Sequence, residues 1–256
     1  MHTLSEQELE RFCIEDTRDK TLLIWIGHST VLVNFQNTVL LTDPVFTELV
    51  SPVQYVGPKR FRPLPVTLDR LPCLHAVLLS HNHFDHINEA TAAQLAAGKW
   101  PRLNWFVGQG DAEWLRALGV PAERLHELDW WQSVRFNELE FVFAPAQHWS
   151  GRSLSDKNKA LWGSWVVKSD DKRMFFTGDT GYCTAFKEIG QKYGPFDLAF
   201  IPIGAYEPHW FLSPQHVDPE GAVKIHLDVG VKRSLGIHWG TFALAYEVSK
   251  CSLKLS

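Results

Sequence analysis

The sequence predicts an α/β fold in which two β-sheets pack together with helices on the outside. Strand-like apolar runs cluster in both halves of the chain, and the helical patterns are few and fall between them. No low-complexity segment, sequence repeat or domain-splitting linker interrupts the chain, so residues 1–256 read as a single domain.

The elements follow in order. Ser5 and Glu8 have capping-box spacing, and Leu4 and Leu9 suit the flanking hydrophobic staple, so residues 4–12 read as a short helix. Residues 21–26, 31–35 and 38–42 are strand-like, and Gln36-Asn37 suits a hairpin turn between the last two. Residues 50–72 are proline-rich and read as a long ordered loop. Residues 73–80 form a candidate buried strand, 88–97 an alanine-rich helix, 103–107 a strand and 111–118 a helix. In the second half, residues 139–144, 162–168, 173–177 and 197–203 are strand-like. Asp218-Pro219 opens a helix with an N-cap carboxylate and proline in the first turn, and 233–237 is a last short strand.

Composition narrows the function classes. Apolar residues make up 45% and charged residues 21%, enough for a sizeable core. A net charge of −4 argues against a nucleic-acid binder, which carries a basic excess. Cys13, Cys73, Cys183 and Cys251 form no C-x-x-C pair and read as reduced, intracellular thiols. The first ten residues lack the basic start and apolar stretch of a signal peptide. No apolar run approaches the roughly 20 residues that span a bilayer, so any membrane contact is expected to be peripheral. The 11 tryptophans suit either the core or a wet–apolar boundary. Lys59, Arg60 and Arg62 around Phe61 read either as a solvated loop or as a contact for anionic lipid headgroups.

The sharpest feature is His81-Asn82-His83-Phe84-Asp85-His86, directly after an apolar run. A loop at a strand end can aim several side chains at one point, and imidazoles with a carboxylate suit zinc or a similar divalent ion. One zinc takes about four ligands, so this cluster alone cannot complete two sites. Further candidates stand after later strand-like runs: His148, then Asp179 in Thr-Gly-Asp-Thr-Gly, then His238. Placement at strand ends would gather them on one edge of the sandwich. His28, in Gly-His-Ser-Thr, either supports this site from behind or only closes a strand turn.

H-x-H-x-D-H followed by His, Asp and His at these spacings resembles the metallo-β-lactamase superfamily. The resemblance implies an αββα sandwich with two zinc ions between the sheet edges. His81, His83 and His148 would hold one ion, Asp85, His86 and His238 the other, and Asp179 would bridge them. Other stretches are similar to the N-acylphosphatidylethanolamine-hydrolysing phospholipase D family. They include Trp25-Ile26-Gly27-His28, Leu41-Thr42-Asp43-Pro44, Leu128-Asp129-Trp130-Trp131, Gly178-Asp179-Thr180-Gly181-Tyr182-Cys183 and His238-Trp239-Gly240-Thr241. This closer resemblance covers about residues 20 to 247.

That family resemblance implies hydrolysis of a membrane phospholipid, N-acylphosphatidylethanolamine, to N-acylethanolamine and phosphatidic acid. A metal-bridging hydroxide would attack phosphorus directly, with Asp85 and Asp179 as catalytic carboxylates. The other phospholipase D chemistry uses an H-x-K motif, and none of the 12 histidines has lysine two residues on. Phe84 and His216 match substrate-contacting positions; Phe84 keeps the ring of the family's usual tyrosine without its hydroxyl. The resemblance further implies a homodimer, a bile-acid regulator, and peripheral placement on the cytoplasmic face of Golgi or endosomal membranes. Gly151 and Arg152 stand where the family has lysine and arginine, which puts the bile-acid contacts in question. After Glu247 the chain departs from the family pattern, which implies that C-terminal elements are missing. Hydrolysis of another ester or phosphodiester, or a C-terminally altered form with little activity, stay open as alternatives.

Overall fold

The structure is a computed structural model and describes residues 3–53 and 55–246. Helix α1 (Glu6–Ile14) begins at Ser5, whose side chain accepts from Glu8 N–H while the Glu8 carboxylate accepts from Ser5 N–H. The first sheet then runs β1 (Thr21–Gly27), β2 (Thr30–Phe35), β3 (Thr38–Thr42), β4 (Ala76–Leu78), β5 (Asn104–Gly108) and β6 (Leu125–Leu128), in that spatial order. Its first three strands are antiparallel and the rest join in parallel. The β2–β3 hairpin closes on Gln36 and Asn37, both at positive φ, as that tight turn requires.

The second sheet contains β7 (Ser133–Phe136), β8 (Leu139–Ala144), β9 (Ser164–Lys168), β10 (Arg173–Phe176), β11 (Leu198–Pro202) and β12 (Ser234–Ile237), ordered β12-β11-β10-β9-β8-β7. Helices α2 (Glu89–Ala97) and α3 (Ala112–Ala117) cover the first sheet. Helices α4 (Ala185–Tyr193) and α6 (Pro219–Val229) cover the second, and the short α5 (His209–Leu212) lies between them in sequence.

Side-chain alternation builds this layering. On β2, Val31, Val33 and Phe35 point into the space between the sheets while Leu32 faces the outer helices. On β8, Phe141 and Phe143 enter the same central layer, and Val142 packs outward towards α4 and α6. Leu9 and Phe12 of α1 and Leu95 of α2 close one outer layer; Phe186, Ile189, Ile225 and Val229 close the other. The expected αββα sandwich is therefore present, with an apolar layer in the middle and one on each side.

Several expectations need correction. Of residues 73–80 only Ala76–Leu78 form the strand, although His75 still bonds to β3 and β5 and Leu79 to β5. β6, β7, α4 and α5 were not expected. β6 and β7 are partly exposed edge strands of only 4 residues each, too short to stand out as apolar runs, and α4 carries Gly190 in its interior. Cys13 and Cys73 are not free thiols but form a disulfide, with Cα atoms 6.2 Å apart. Docking of α1 on the first sheet brings them together across 60 residues of sequence, a separation that carries no local signal. Cys183 is free. The divergent ending after Glu247 lies outside the described residues.

Gly190 lets α4 approach α6: a Cβ there would overlap the Asp228 carbonyl oxygen and crowd Val229. In isolation, alanine favours a helix by about 1 kcal/mol over glycine. Here overpacking should win, so Gly190→Ala is expected to lower the unfolding free energy by roughly 1–3 kcal/mol in urea denaturation. Equal or greater stability would show that the two helices separate at no cost.

Candidate metal centre

The ligand-type residues lie on loops that leave the strands at one edge of the sandwich. His81–His86 follow β4, His148 follows β8, Asp179 follows β10 and His238 follows β12. Gly178, at φ +60, makes the approach of the Asp179 loop possible, because a Cβ there would overlap the Ser80 side chain.

Two clusters result. In the first, His81 Nε2 stands 2.8 Å and His148 Nε2 3.3 Å from His83 Nδ1. In the second, Asp85 Oδ2 lies 3.5 Å from His86 Nε2 and 3.4 Å from His238 Nε2. Asp179 reaches both: its Oδ2 is 3.0 Å from His86 Nε2, 2.9 Å from His238 Nε2 and 3.9 Å from His148 Nε2. His216 Nδ1 joins at 3.8 Å from the same oxygen. All seven residues expected as ligands, together with His216, thus meet in one place. Phe84 projects beside them, its ring under the Arg152 guanidinium, 4.3 Å from carbon to ring centroid.

The donors fit divalent metal ions. Neutral imidazoles cannot satisfy one another at a three-nitrogen meeting point, since each carries one proton and one lone pair. His83 Nε2, Asp179 Oδ1, His216 Nδ1 and His238 Nδ1 are buried with no hydrogen-bond partner among the described residues. Nitrogen and carboxylate donors converging in this way suit zinc and related ions.

Hydrogen bonds behind the clusters set which nitrogen faces inward. Asp43, fully buried, accepts from Ser80 N–H at 2.8 Å and from Ser80 Oγ–H at 2.6 Å. His86 Nδ1–H donates to the same carboxylate at 2.5 Å, which leaves Nε2 for the centre. With its hydroxyl proton committed, Ser80 Oγ accepts from His81 Nδ1–H at 2.9 Å, so His81 also presents Nε2. His148 Nδ1–H donates to the Gln215 carbonyl at 3.1 Å with the same result.

Charge follows from these positions. Burial holds His81 and His148 well below the usual imidazole range and brings His83 down to about 4. They are therefore neutral, the form that ligates metal. Burial works against charge on His238 too, but the Asp179 carboxylate beside it raises that imidazole to about 9. Burial opposes ionisation of Asp179, and the charges on His238 and His86 outweigh it, keeping the carboxyl well below its usual range.

His28 combines a turn conformation with a contact to the centre. It turns the chain at φ 54, and its Nε2 lies 3.1 Å from Asp85 Oδ2. Arg60 does not contact solvent in the way a lipid-facing cation must: it is buried, donates to the carbonyls of Val45 and Thr47, and lies over Phe242. Arg152 is likewise committed. Its Nη1 donates to the carbonyls of Asn82 and Ile87, bracing both ends of the ligand loop, and its guanidinium sits between Phe84 and Trp114. Asp43, Ser80 and Arg152 were not anticipated in these roles. Asp43 carried a usable signal, since it too follows directly on a strand, as the expected ligands do.

Residues 38–239 match the family described as beta-lactamase superfamily domain. The chain is 42% identical over 228 residues to N-acyl-phosphatidylethanolamine-hydrolyzing phospholipase D 1 of Caenorhabditis elegans, an alignment spanning 86% of this chain and 64% of that protein. It is 35% identical over 230 residues to the mitochondrial N-acyl-phosphatidylethanolamine-hydrolyzing phospholipase D of Saccharomyces cerevisiae, spanning 87% and 48%. The chain thus spans about half to just under two-thirds of the length of these curated relatives. Among solved structures, a metallo hydrolase from the archaeon Ignicoccus hospitalis superimposes with a TM-score of 0.66 at 21% identity, covering 92% of this chain and 91% of the other. At that identity the likeness is one of fold.

Beneath the ligand loop, Asp111 accepts from Asn82 Nδ2 and Trp114 Nε1 at 2.9 and 3.1 Å. Burial pushes its carboxyl up to about 7, against those two bonds, which favour the charged form. A carboxyl raised in the folded state stabilises fully below its unfolded value of 3.8, and that contribution fades as pH rises through about 7. Asp111→Asn keeps an oxygen acceptor and removes the titration. Its melting temperature should therefore fall less between pH 5 and pH 8 than that of the wild type. Parallel pH profiles would show that Asp111 is ionised throughout.

Proposed function

The chain belongs to the β-lactamase superfamily and has its metal-dependent hydrolase fold, and from that premise we propose that it is a zinc-dependent phosphodiesterase. Its proposed substrate is N-acylphosphatidylethanolamine, cleaved to N-acylethanolamine and phosphatidic acid. The observation that carries the reading is Asp179, one carboxylate poised against both histidine clusters, as a two-ion centre requires. The choice of lipid rests on similarity to the two enzymes named for that reaction.

His81, His83 and His148 would hold one ion, Asp85, His86 and His238 the other, with Asp179 shared. Bound there, two divalent ions supply Lewis acidity towards a phosphoryl oxygen and make water acidic enough to act near neutral pH. The chain's own residues do the rest. Asp85, ionised, is the group placed to accept a proton from the attacking water and pass it to the departing alkoxide oxygen. Burial opposes its charge, but the charge on His86 and hydrogen bonds from His238, His28 and His86 outweigh that and hold its carboxyl well below the usual range. His216, beside Asp179 and His148, stands where it can meet the phosphate. Phe84, with the Arg152 guanidinium over its ring, would offer an apolar surface to the diester.

A lipid substrate calls for contact with a bilayer surface. Exposed apolar side chains stand on segments that adjoin the centre in sequence: Leu154 after His148, Trp210 and Phe211 in α5 just before His216, and Tyr55 in the loop whose end pairs with Phe242. Trp210 is 82% and Phe211 63% exposed, more than packing within the chain explains. Aromatic rings of this kind favour the headgroup boundary.

The protein should release N-acylethanolamine from mixed micelles of N-acylphosphatidylethanolamine, lose that activity to a chelator, and contain about two metal ions per chain. Asp179→Asn should lower both metal content and turnover, since one residue serves both clusters. Turnover of soluble esters or diesters alone would refute the lipid assignment; a mutant retaining two tightly held ions would remove Asp179 from the shared role.

The double variant Trp210→Ser, Phe211→Ser should sediment less with vesicles of anionic phospholipid and hydrolyse substrate in them several-fold more slowly, while a short-chain monomeric substrate is turned over as before. Unchanged sedimentation would show that the aromatic pair does not meet the bilayer.

A further inference from the structure

His28 lies in the turn between β1 and β2, yet its ring belongs to the centre. The side chain is buried, 4.1 Å from the His238 ring and 5.6 Å from the His86 ring between centroids, with Phe242 edge-on at 5.3 Å. Its backbone is held at φ 54, a conformation uncommon outside glycine, though asparagine, aspartate and histidine adopt it more often than other residues. Three bonds keep it there. His28 N–H donates to Thr241 Oγ1 at 2.6 Å, and its carbonyl accepts from Trp25 Nε1–H at 2.9 Å and from His238 N–H at 3.1 Å. Two of those partners flank or belong to the His238 loop, so the turn and that loop are fastened together.

A tight turn alone does not call for an imidazole; asparagine or glycine would close it with less strain. Strain retained at one residue points to a use for the side chain that is aimed by it. A carboxylate oxygen only accepts, so the 3.1 Å contact to Asp85 Oδ2 requires the proton on His28 Nε2. We infer that His28 is a positioning residue of the second cluster: its Nε2–H anchors the Asp85 carboxylate in the orientation that faces His86 and His238. Donors standing behind a ligating carboxylate hold its direction, and their loss weakens metal affinity by about 10- to 100-fold. This rests on the metal-centre reading given above, and it concerns the ion held by Asp85, not the choice of substrate.

The test is a zinc titration of the chelator-stripped full chain against a competing indicator, repeated with cobalt for its absorption spectrum. His28→Asn tolerates the left-handed turn but is too short to reach Asp85. His28→Gln retains an N–H donor on a longer side chain, and Gln36, at φ 50, shows that this conformation accepts glutamine. One of the two binding steps should weaken by about tenfold or more in His28→Asn while the other changes little, and His28→Gln should recover most of the loss. The cobalt spectrum should keep its ligand-field bands in all three proteins, because no ligand is removed. Two unchanged binding steps in His28→Asn would overturn the inference. So would a lost step that glutamine does not restore together with an altered cobalt spectrum, which would make His28 a ligand itself. Wild-type protein that binds no zinc would instead sink the metal centre, and the role of His28 with it.

Discussion

Asp43 places a carboxylate where no water reaches it, and most of the centre is arranged around satisfying it. Burial pushes its carboxyl upwards, while the His86 charge and the bonds from His86 and Ser80 pull the other way. Because a buried carboxylate without donors is costly, Ser80 and His86 are fixed where they stand, and His81 is fixed through Ser80. A single buried side chain thereby chooses the inward nitrogen in both clusters. The arrangement couples them before any ion arrives, since moving Asp43 would disturb His81 on one side and His86 on the other.

The fold delivers these residues by strand geometry rather than by local motif alone. Strands buried on both faces cannot carry polar residues along their length, so the polar groups appear where the strands stop. Asp43, His81, Asp179 and His238 all occupy such positions, after β3, β4, β10 and β12. The central layer of Phe106, Phe141, Phe143, Trp165 and Phe176 fixes how the two sheets face each other. Loops from different sheets then meet at a constant separation, and two clusters can share Asp179. Helices outside the sheets contribute no ligand, but α3 supplies Trp114 to the stack that braces the ligand loop.

What was legible in the sequence follows the same division. Alternating or continuous apolar runs gave the central strands, because burial dictates their composition. Edge strands β6 and β7 are half solvated, so little constrains their residues and they went unseen. H-x-H-x-D-H announces itself because several ligands must come from one loop, whereas Asp43 contributes a single residue whose partners lie 37 and 43 positions away. Arg60 illustrates the opposite error. In sequence it belongs to a basic run that suits either a solvated loop or lipid headgroups; in the fold it is buried and its guanidinium donates to the carbonyls of Val45 and Thr47. The Cys13–Cys73 link was invisible for the same reason, since only the docking of α1 creates it.

The metal half of the site is the part that sequence fixes most tightly, and it is also the part least informative about substrate. Two clusters sharing a carboxylate activate water whatever ester is presented to them, and similarity of fold at about one-fifth identity does not extend to substrate. Selection has to come from groups that touch what the ions do not. Beside the ligands stand Phe84 on its Arg152–Trp114 stack and His216 at the edge of the first cluster, and Leu154, Trp210 and Phe211 are exposed. The stack is the informative member. Arg152 Nη1 donates to the carbonyls of Asn82 and Ile87, so a displacement of the Phe84 ring is transmitted to the loop that carries His81, His83, Asp85 and His86. The ring at position 84 and the placement of the ligands are therefore mechanically joined at this one guanidinium. A ring there without a hydroxyl keeps that junction apolar.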